Sequence, residues 1–225
     1  MGPLWDDPPV TTTWRSGLEL WLDDPEGEDP APETSHPAFA KVAPPEFYDK
    51  GDEFAPFGND SGSDMLGNVQ DWYLDGVTDD ELPRIVMGSL GDWDTEGITD
   101  GLWSGDSDVI DDWFAAWGSI AAHHVYHETN GVIAAAVGQF KVRGLLDPVM
   151  RRAGLFALAV KRGSLDDGDL RYPNWEHTAR ARAGAEAVRR VLIAAPVVGS
   201  PLHRGEPLPT GLDRKALDAL GGPAT

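Results

Sequence analysis

The run His123-His124-Val125-Tyr126-His127-Glu128 is the densest group of side chains that can ligate a metal or move a proton. His123 and His127 are four residues apart, so on a helix they share a face and both imidazoles can reach one ion. Zinc hydrolases of the His-Glu-x-x-His kind need a glutamate directly after the first histidine. His124 stands there, and Glu128 follows the second histidine instead. A divalent-metal site of His123, His127 and Glu128, serving a metal-dependent hydrolase, is one expectation. The other is structural. On a helical wheel His124 and Glu128 fall at the centre of the apolar stripe of Trp113 and Trp117, with His123 and His127 on its flank. That pattern is a histidine cluster at the edge of a core, near a helix C-terminus. His124 is then buried, with Glu128 one turn away to satisfy its ring.

The second stretch is Phe54 to Trp72, FAPFGNDSGSDMLGNVQDW. Pro56-Phe57-Gly58 forms a turn. Asn59, Asp60, Ser61, Ser63 and Asp64 carry short side chains whose oxygens suit either a hard cation or a helix N-terminus. The terminal bidentate glutamate of a calcium loop is missing, which favours capping. Met65, Val69, Trp72 and Tyr73 then recur at helical spacing. Phe57, Gly58, Asn59, Asp60, Asp64 and Trp72 thus make a structural motif of turn, cap and buried helix, with Phe57 buried and Asp60 or Ser61 as the cap.

Other elements must hold these two stretches in place. Thr11-Thr12-Thr13-Trp14 favours extended chain, Arg15-Ser16-Gly17 a turn, and Leu18, Leu20 and Leu22 alternate with Glu19 and Trp21, which predicts a short β-hairpin or edge strand. Pro25 to Pro37 reads as an acidic, proline-rich linker, and Phe39, Phe47 and Tyr48 as aromatics packed under the helix that begins near Ser61. Thr78 and Glu81 form a capping box ahead of a helix with Ile85, Val86 and Leu90 on its apolar face. Gly91 to Asp106 is acidic and glycine-rich and reads as a long loop. A helix from about Ser107 carries Ile110, Trp113, Phe114, Trp117, Ile120 and Ala121, and Asn130-Gly131 interrupts it. A second, alanine-rich helix runs from Val132 to about Arg143. Asp147 and Pro148 open a third, which Gly163 ends, and a fourth runs from about Asn174 to Ala194, followed by a tail with a short helical candidate at Leu212 to Leu220. The expected class is mostly α, with about five to six helices and a small N-terminal β-hairpin-like appendage. The expected divisions are the appendage at 1–24, the linker at 25–37, a helical domain at 38–195 and a tail at 196–225.

Charge is lopsided. The formal net charge is -20. Residues 1–140 hold 29 Asp/Glu against 4 Lys/Arg, whereas residues 141–225 hold 9 against 14. A surface this acidic repels phosphate backbones and anionic lipid, so nucleic acid and membranes are not expected partners. The arginines of the second half read as pairing with the acidic first half or as a face for an acidic partner, and Arg182, Glu186 and Arg190, spaced by four, as solvated ion pairs. Cysteine is absent, which excludes disulfides and thiolate metal sites and fits a reducing compartment. No apolar run of about 20 residues exists, and Met1 to Pro9 lacks the basic-then-apolar order of a secretory signal, so a cytoplasmic location is expected. No glycine-rich phosphate loop, nucleophile elbow or Ser/His/Asp order stands out.

Glu33-Thr34-Ser35-His36-Pro37, then Glu46-Phe47-Tyr48, then Pro56-Phe57-Gly58-Asn59-Asp60-Ser61-Gly62-Ser63-Asp64 resembles the start of the bacterial YfeS-like proteins, and Asn130 to Asp147 is similar to that family's alanine-rich helix. The resemblance covers about residues 32 to 165. It implies a fold rather than a role, because the family brings no catalytic residues to carry over.

Two functions follow as expectations. The first is a non-enzymatic binding protein, immunity- or inhibitor-like, whose acidic surface complements a basic protein partner and which needs no cofactor. The second is the metal-dependent hydrolase at His123 and His127, with a divalent ion as its cofactor.

Overall fold

A helix that is apolar on every side belongs in the middle of a protein. Helix α6, Ser119–Arg143, has that character over its second half: every residue from Glu128 to Val142 is buried. The computed structural model describes residues 12–15, 17–24, 30–90, 98–117, 119–166 and 177–198. Around α6 stand α1 (Pro37–Ala40), α2 (Asp60–Leu74), α3 (Leu82–Leu90), α4 (Ile98–Ser104), α5 (Ser107–Trp117), α7 (Pro148–Asp166) and α8 (Thr178–Ala194). Helices α2 and α7 pack directly on α6, and α8 covers α7. The run Ala134-Ala135-Ala136 lets neighbours come close, and Gly154 of α7 approaches Ala136 so tightly that an added Cβ would lie 2.8 Å away.

The hairpin forms as the alternation predicts. Strands β1 (Thr12–Arg15) and β2 (Leu18–Trp21) pair antiparallel, with Thr13 opposite Leu20 and Arg15 opposite Leu18, around Gly17 at φ 79°. Leu20 is completely buried and joins the same apolar cluster as α2 and α6. Asp23, just past β2, accepts a charged hydrogen bond from Lys141 Nζ at 2.7 Å, and Arg143 reaches both Asp79 (3.0 Å) and the Glu19 carbonyl. Phe39 and Phe47 are buried as expected, and Phe39 meets Phe140 of α6 edge to face at 5.4 Å.

Several boundaries differ from expectation. The chain is mostly helical with one small hairpin, but the described residues hold eight α-helices, because α1 and α4 are short. Part of the expected loop from Gly91 to Asp106 is α4: Ile98 and Leu102, one turn apart, are both completely buried, and that burial outweighs the glycine-rich composition. Residues 91–97 lie outside the described residues. Asn130-Gly131 does not interrupt a helix. Gly131 sits where a Cβ would come within 3.0 Å of Leu90, and Asn130 accepts from Lys161 Nζ at 2.6 Å, so tertiary contacts hold the helix through both. Helix α5 is described to Trp117 and α6 from Ser119. Helix α7 continues past Gly163 to Asp166. In the described part of the expected linker Pro32–Thr34 forms a 3-10 turn, and Pro37 opens α1. The helical candidate at Leu212 to Leu220 lies outside the described residues. Among them, no helix is long and apolar enough to cross a membrane.

Candidate functional site

The two chemistry-bearing stretches meet. Pro56-Phe57-Gly58 turns the chain so that Phe57 is 1% exposed, and a Cβ on Gly58 would fall 1.8 Å from the Asp52 carbonyl oxygen. Only glycine permits that approach. The turn delivers Asn59 to the N-cap of α2, where its Oδ1 accepts from the Gly62 N–H at 3.0 Å. The cap is therefore Asn59, not Asp60 or Ser61. Asn59 takes the extended backbone that capping requires, and Asp60 already lies inside the helix.

With the cap supplied, the next residues are free for other work. Asp60 and Asp64 point outward and are exposed, Gly62 is buried against the Pro56 carbonyl, and Ser61 turns inward. Its hydroxyl lies 2.7 Å from Nδ1 of His127 on α6. The oxygen-bearing side chains of Asn59 to Asp64 thus serve different tasks and do not converge on one point. Met65, Val69 and Tyr73 form the buried stripe of α2, with Trp72 half-buried beside them.

The histidine cluster divides in the same way. The His123 side chain lies outside the described residues. His124 is only half-buried, contrary to expectation, and its ring meets Trp113 edge to face at 6.3 Å. Glu128 is buried and accepts from the Thr99 hydroxyl of α4 at 2.9 Å. His127 faces Ser61, and Tyr126 beside it is exposed, with Lys161 Nζ 5.6 Å from its ring centre. Lys161 belongs to α7. Burial lowers its pKa to about 8, although the Glu53 carboxylate works in the opposite direction. Among the described residues, no three His, Asp or Glu side chains come together as a metal cage. His127 and Glu128 are engaged on different neighbours.

Outside this cluster, the charges sort into pairs and a remainder. The basic second half pairs with the acidic first half: Lys141 with Asp23, Arg143 with Asp79, and Arg180 with Asp52 at 3.1 Å. Within the second half, Glu186 takes its close partner three residues away, in a two-pronged contact with Arg189 at 2.9 Å. The four-residue spacing to Arg182 and Arg190 had pointed elsewhere. Arg162 and Arg189 flank a shallow cavity of about 180 Å³ between α7 and α8, whose floor is Leu155, Leu158 and Ile193. Part of the remainder is on α2. Asp60, Asp64, Asp71 and Asp75 at its C-cap are all exposed and lie within a narrow arc of the helix, separated by Gly67 and Asn68. Helix α2 carries no lysine or arginine, and none of the four carboxylates is ion-paired among the described residues.

The Ser61–His127 contact and the acidic outer face of α2 differ in how far the sequence signals them. The first joins residues 66 positions apart, so no spacing rule reveals it. The second was visible as periodicity, since positions 60, 64, 71 and 75 all fall on one side of a helix. Comparison with known protein families, with curated proteins and with solved structures finds no match.

Proposed function

We propose that the protein is a binding protein that engages a basic protein partner through the outer face of α2, in the manner of an immunity or inhibitor protein. The observation that carries this reading is the stripe Asp60, Asp64, Asp71 and Asp75, exposed and without internal counter-charge. At about 1.5 Å per residue the stripe is about 22 Å long. Like charges one turn apart weaken a helix by about 0.2–0.5 kcal/mol per pair, and Asp71 and Asp75 add repulsion from the negative end of the helix dipole. In the other half of the chain Lys141, Arg143, Arg180 and Arg189 pair with Asp23, Asp79, Asp52 and Glu186 rather than with this row. A carboxylate row left uncompensated, on a helix with a flat centre at Gly67, suits a cationic surface that supplies the missing charge. The cysteine-free sequence fits work in a reducing cytoplasm. The likeness to the YfeS-like proteins stays a proposal about ancestry and adds no activity.

The test is affinity capture from the native host at low salt. A basic protein is expected, with binding that weakens steeply as salt rises and that falls at least tenfold in Asp64→Lys/Asp71→Lys. Capture that is indifferent both to salt and to the double substitution refutes the reading. The hydrolase reading at His123 and His127 has no comparable observation behind it, since the His123 side chain lies outside the described residues.

A further inference from the structure

Ser61 is the second residue of α2, and the cap is supplied by Asn59. The hydroxyl is instead bonded to an imidazole from another helix at 2.7 Å. With the His127 proton on Nε2, Nδ1 accepts the Ser61 O–H, which is the relation in which a histidine takes the proton as the oxygen attacks. Asn130 supplies an independent observation. It lies one turn along α6 from His127 and is 2% exposed. An ammonium can only donate, so Lys161 fixes Oδ1 of Asn130 as the accepting end. Nδ2 is buried and has no hydrogen-bond partner among the described residues, a state that an arriving acceptor oxygen would relieve. The N–H groups of Asp60 and Ser61, at the positive end of α2, are likewise not used by the Asn59 cap.

We propose that Ser61 and His127 form a nucleophile–base pair for acyl transfer, acting on esters that carry no negative charge. Ser61 Oγ adds to the ester carbonyl carbon while its proton passes to His127 Nδ1. The oxyanion that forms faces the N–H groups of the first turn of α2. The bond from carbon to the alcohol oxygen then breaks, and the imidazolium returns the proton to that oxygen. Water adds to the acyl-Ser61, His127 again takes the proton, and collapse frees the carboxylic acid and restores the hydroxyl. Ester and water become acid and alcohol with no other reagent. The charge selection follows from Asp60 and Asp64, both exposed on the same turns of α2, and from Glu53, close enough to act on Lys161. The exposed ring of Tyr126, beside His127, offers an apolar surface to the acyl group.

This activity goes beyond the binding role and does not depend on it. The test is reaction of the full-length folded protein with a fluorophosphonate probe, with p-nitrophenyl acetate turnover followed in parallel. Mass spectrometry is expected to place the adduct on Ser61. Ser61→Ala should lose it, and His127→Gln should slow labelling and turnover at least tenfold while circular dichroism stays unchanged. An adduct absent from Ser61 of the folded wild-type protein overturns the proposal, whatever the variants do. Equal labelling rates in wild type and a folded His127→Gln also overturn it. Capture of a basic partner reads only the acidic face, so the two ideas fail separately.

Discussion

Lys141 Nζ lies 2.7 Å from an Asp23 carboxylate oxygen, with the ammonium completely buried and 118 positions of chain between the two residues. The same ammonium donates to the Thr34 carbonyl at 3.2 Å. This contact fixes the hairpin to the central helix. Removing one partner of a buried pair leaves the other uncompensated and costs about 3–5 kcal/mol. The two deletions are not equivalent, because Asp23 retains 16% of its side-chain exposure and Lys141 none. Asp23→Asn, which strands the buried ammonium, should therefore destabilise more than Lys141→Met, which strands a carboxylate that water can reach. Urea denaturation of the two variants and the double substitution checks the order.

The α2 entry gives a graded set of losses. Asn59→Ala removes the cap and should cost about 1 kcal/mol. Asp60→Ala should fall within about 0.5 kcal/mol of wild type, since its side chain is exposed and does not cap. Phe57→Ala empties a buried aromatic site and should cost about 3–5 kcal/mol. Gly58→Ala should be at least as severe, because the new carbon would meet the Asp52 carbonyl oxygen at 1.8 Å. Melting temperatures of the four variants test the ranking. A loss for Asp60→Ala larger than for Asn59→Ala would show that the cap is assigned wrongly.

Lys161 should make stability depend on alkaline pH. Its pKa in the folded protein is about 8, below the ordinary value of 10.5, because burial disfavours the ammonium. Below about pH 8 both states hold the proton, and the folded state carries the full penalty. Between about pH 8 and 10.5 the unfolded chain binds more protons, so folding stability rises with pH. Allowing for partial exposure, the gain of wild type relative to Lys161→Met across that window should be about 1–2 kcal/mol. Denaturant titrations of both proteins at pH 7.5 and 10 check the sign; a falling difference would contradict it.

Relieving the acidic stripe should stabilise the protein while weakening partner binding. Asp75→Lys replaces a carboxylate with a cation at the negative end of α2 and should add about 0.3–1 kcal/mol at low ionic strength. The gain should shrink at 1 M salt, where charges are screened beyond about 3 Å. Thermal melts at the two salt concentrations provide the measurement.

Local signals in the sequence were enough for much of this fold. The Leu18, Leu20, Leu22 alternation yields the hairpin, and Asp147-Pro148 opens α7, with Asp147 Oδ1 accepting from the Val149 N–H at 2.7 Å. Half of the expected capping box forms: Glu81 accepts from the Thr78 N–H at 3.1 Å, but the Thr78 hydroxyl donates to the Glu81 carboxylate instead of accepting from its N–H. What failed depended on distant partners. Asn130-Gly131 looks like a break because asparagine and glycine are poor in isolated helices, but Lys161 and Leu90 come from other helices to reward both. Helix α4 was hidden by its glycine and aspartate content, and only the core it covers explains it. At the candidate site, burial of Phe57 was readable from its place before a cap, whereas the meeting of Ser61 with His127 was not, because it is a product of how α2 lies across α6.

The acidic stripe also bears on the order in which the protein folds. Gly62 and Gly67 weaken α2, and the repulsion along its outer face removes what stability remains, so the segment alone should be close to random in water. Helix α2 then becomes ordered only on docking against α6, which begins 45 residues after α2 ends. A loop of that length must close first, and such late, long-range pairing slows folding. Added salt softens the repulsion without touching the apolar contacts, so refolding should accelerate with ionic strength.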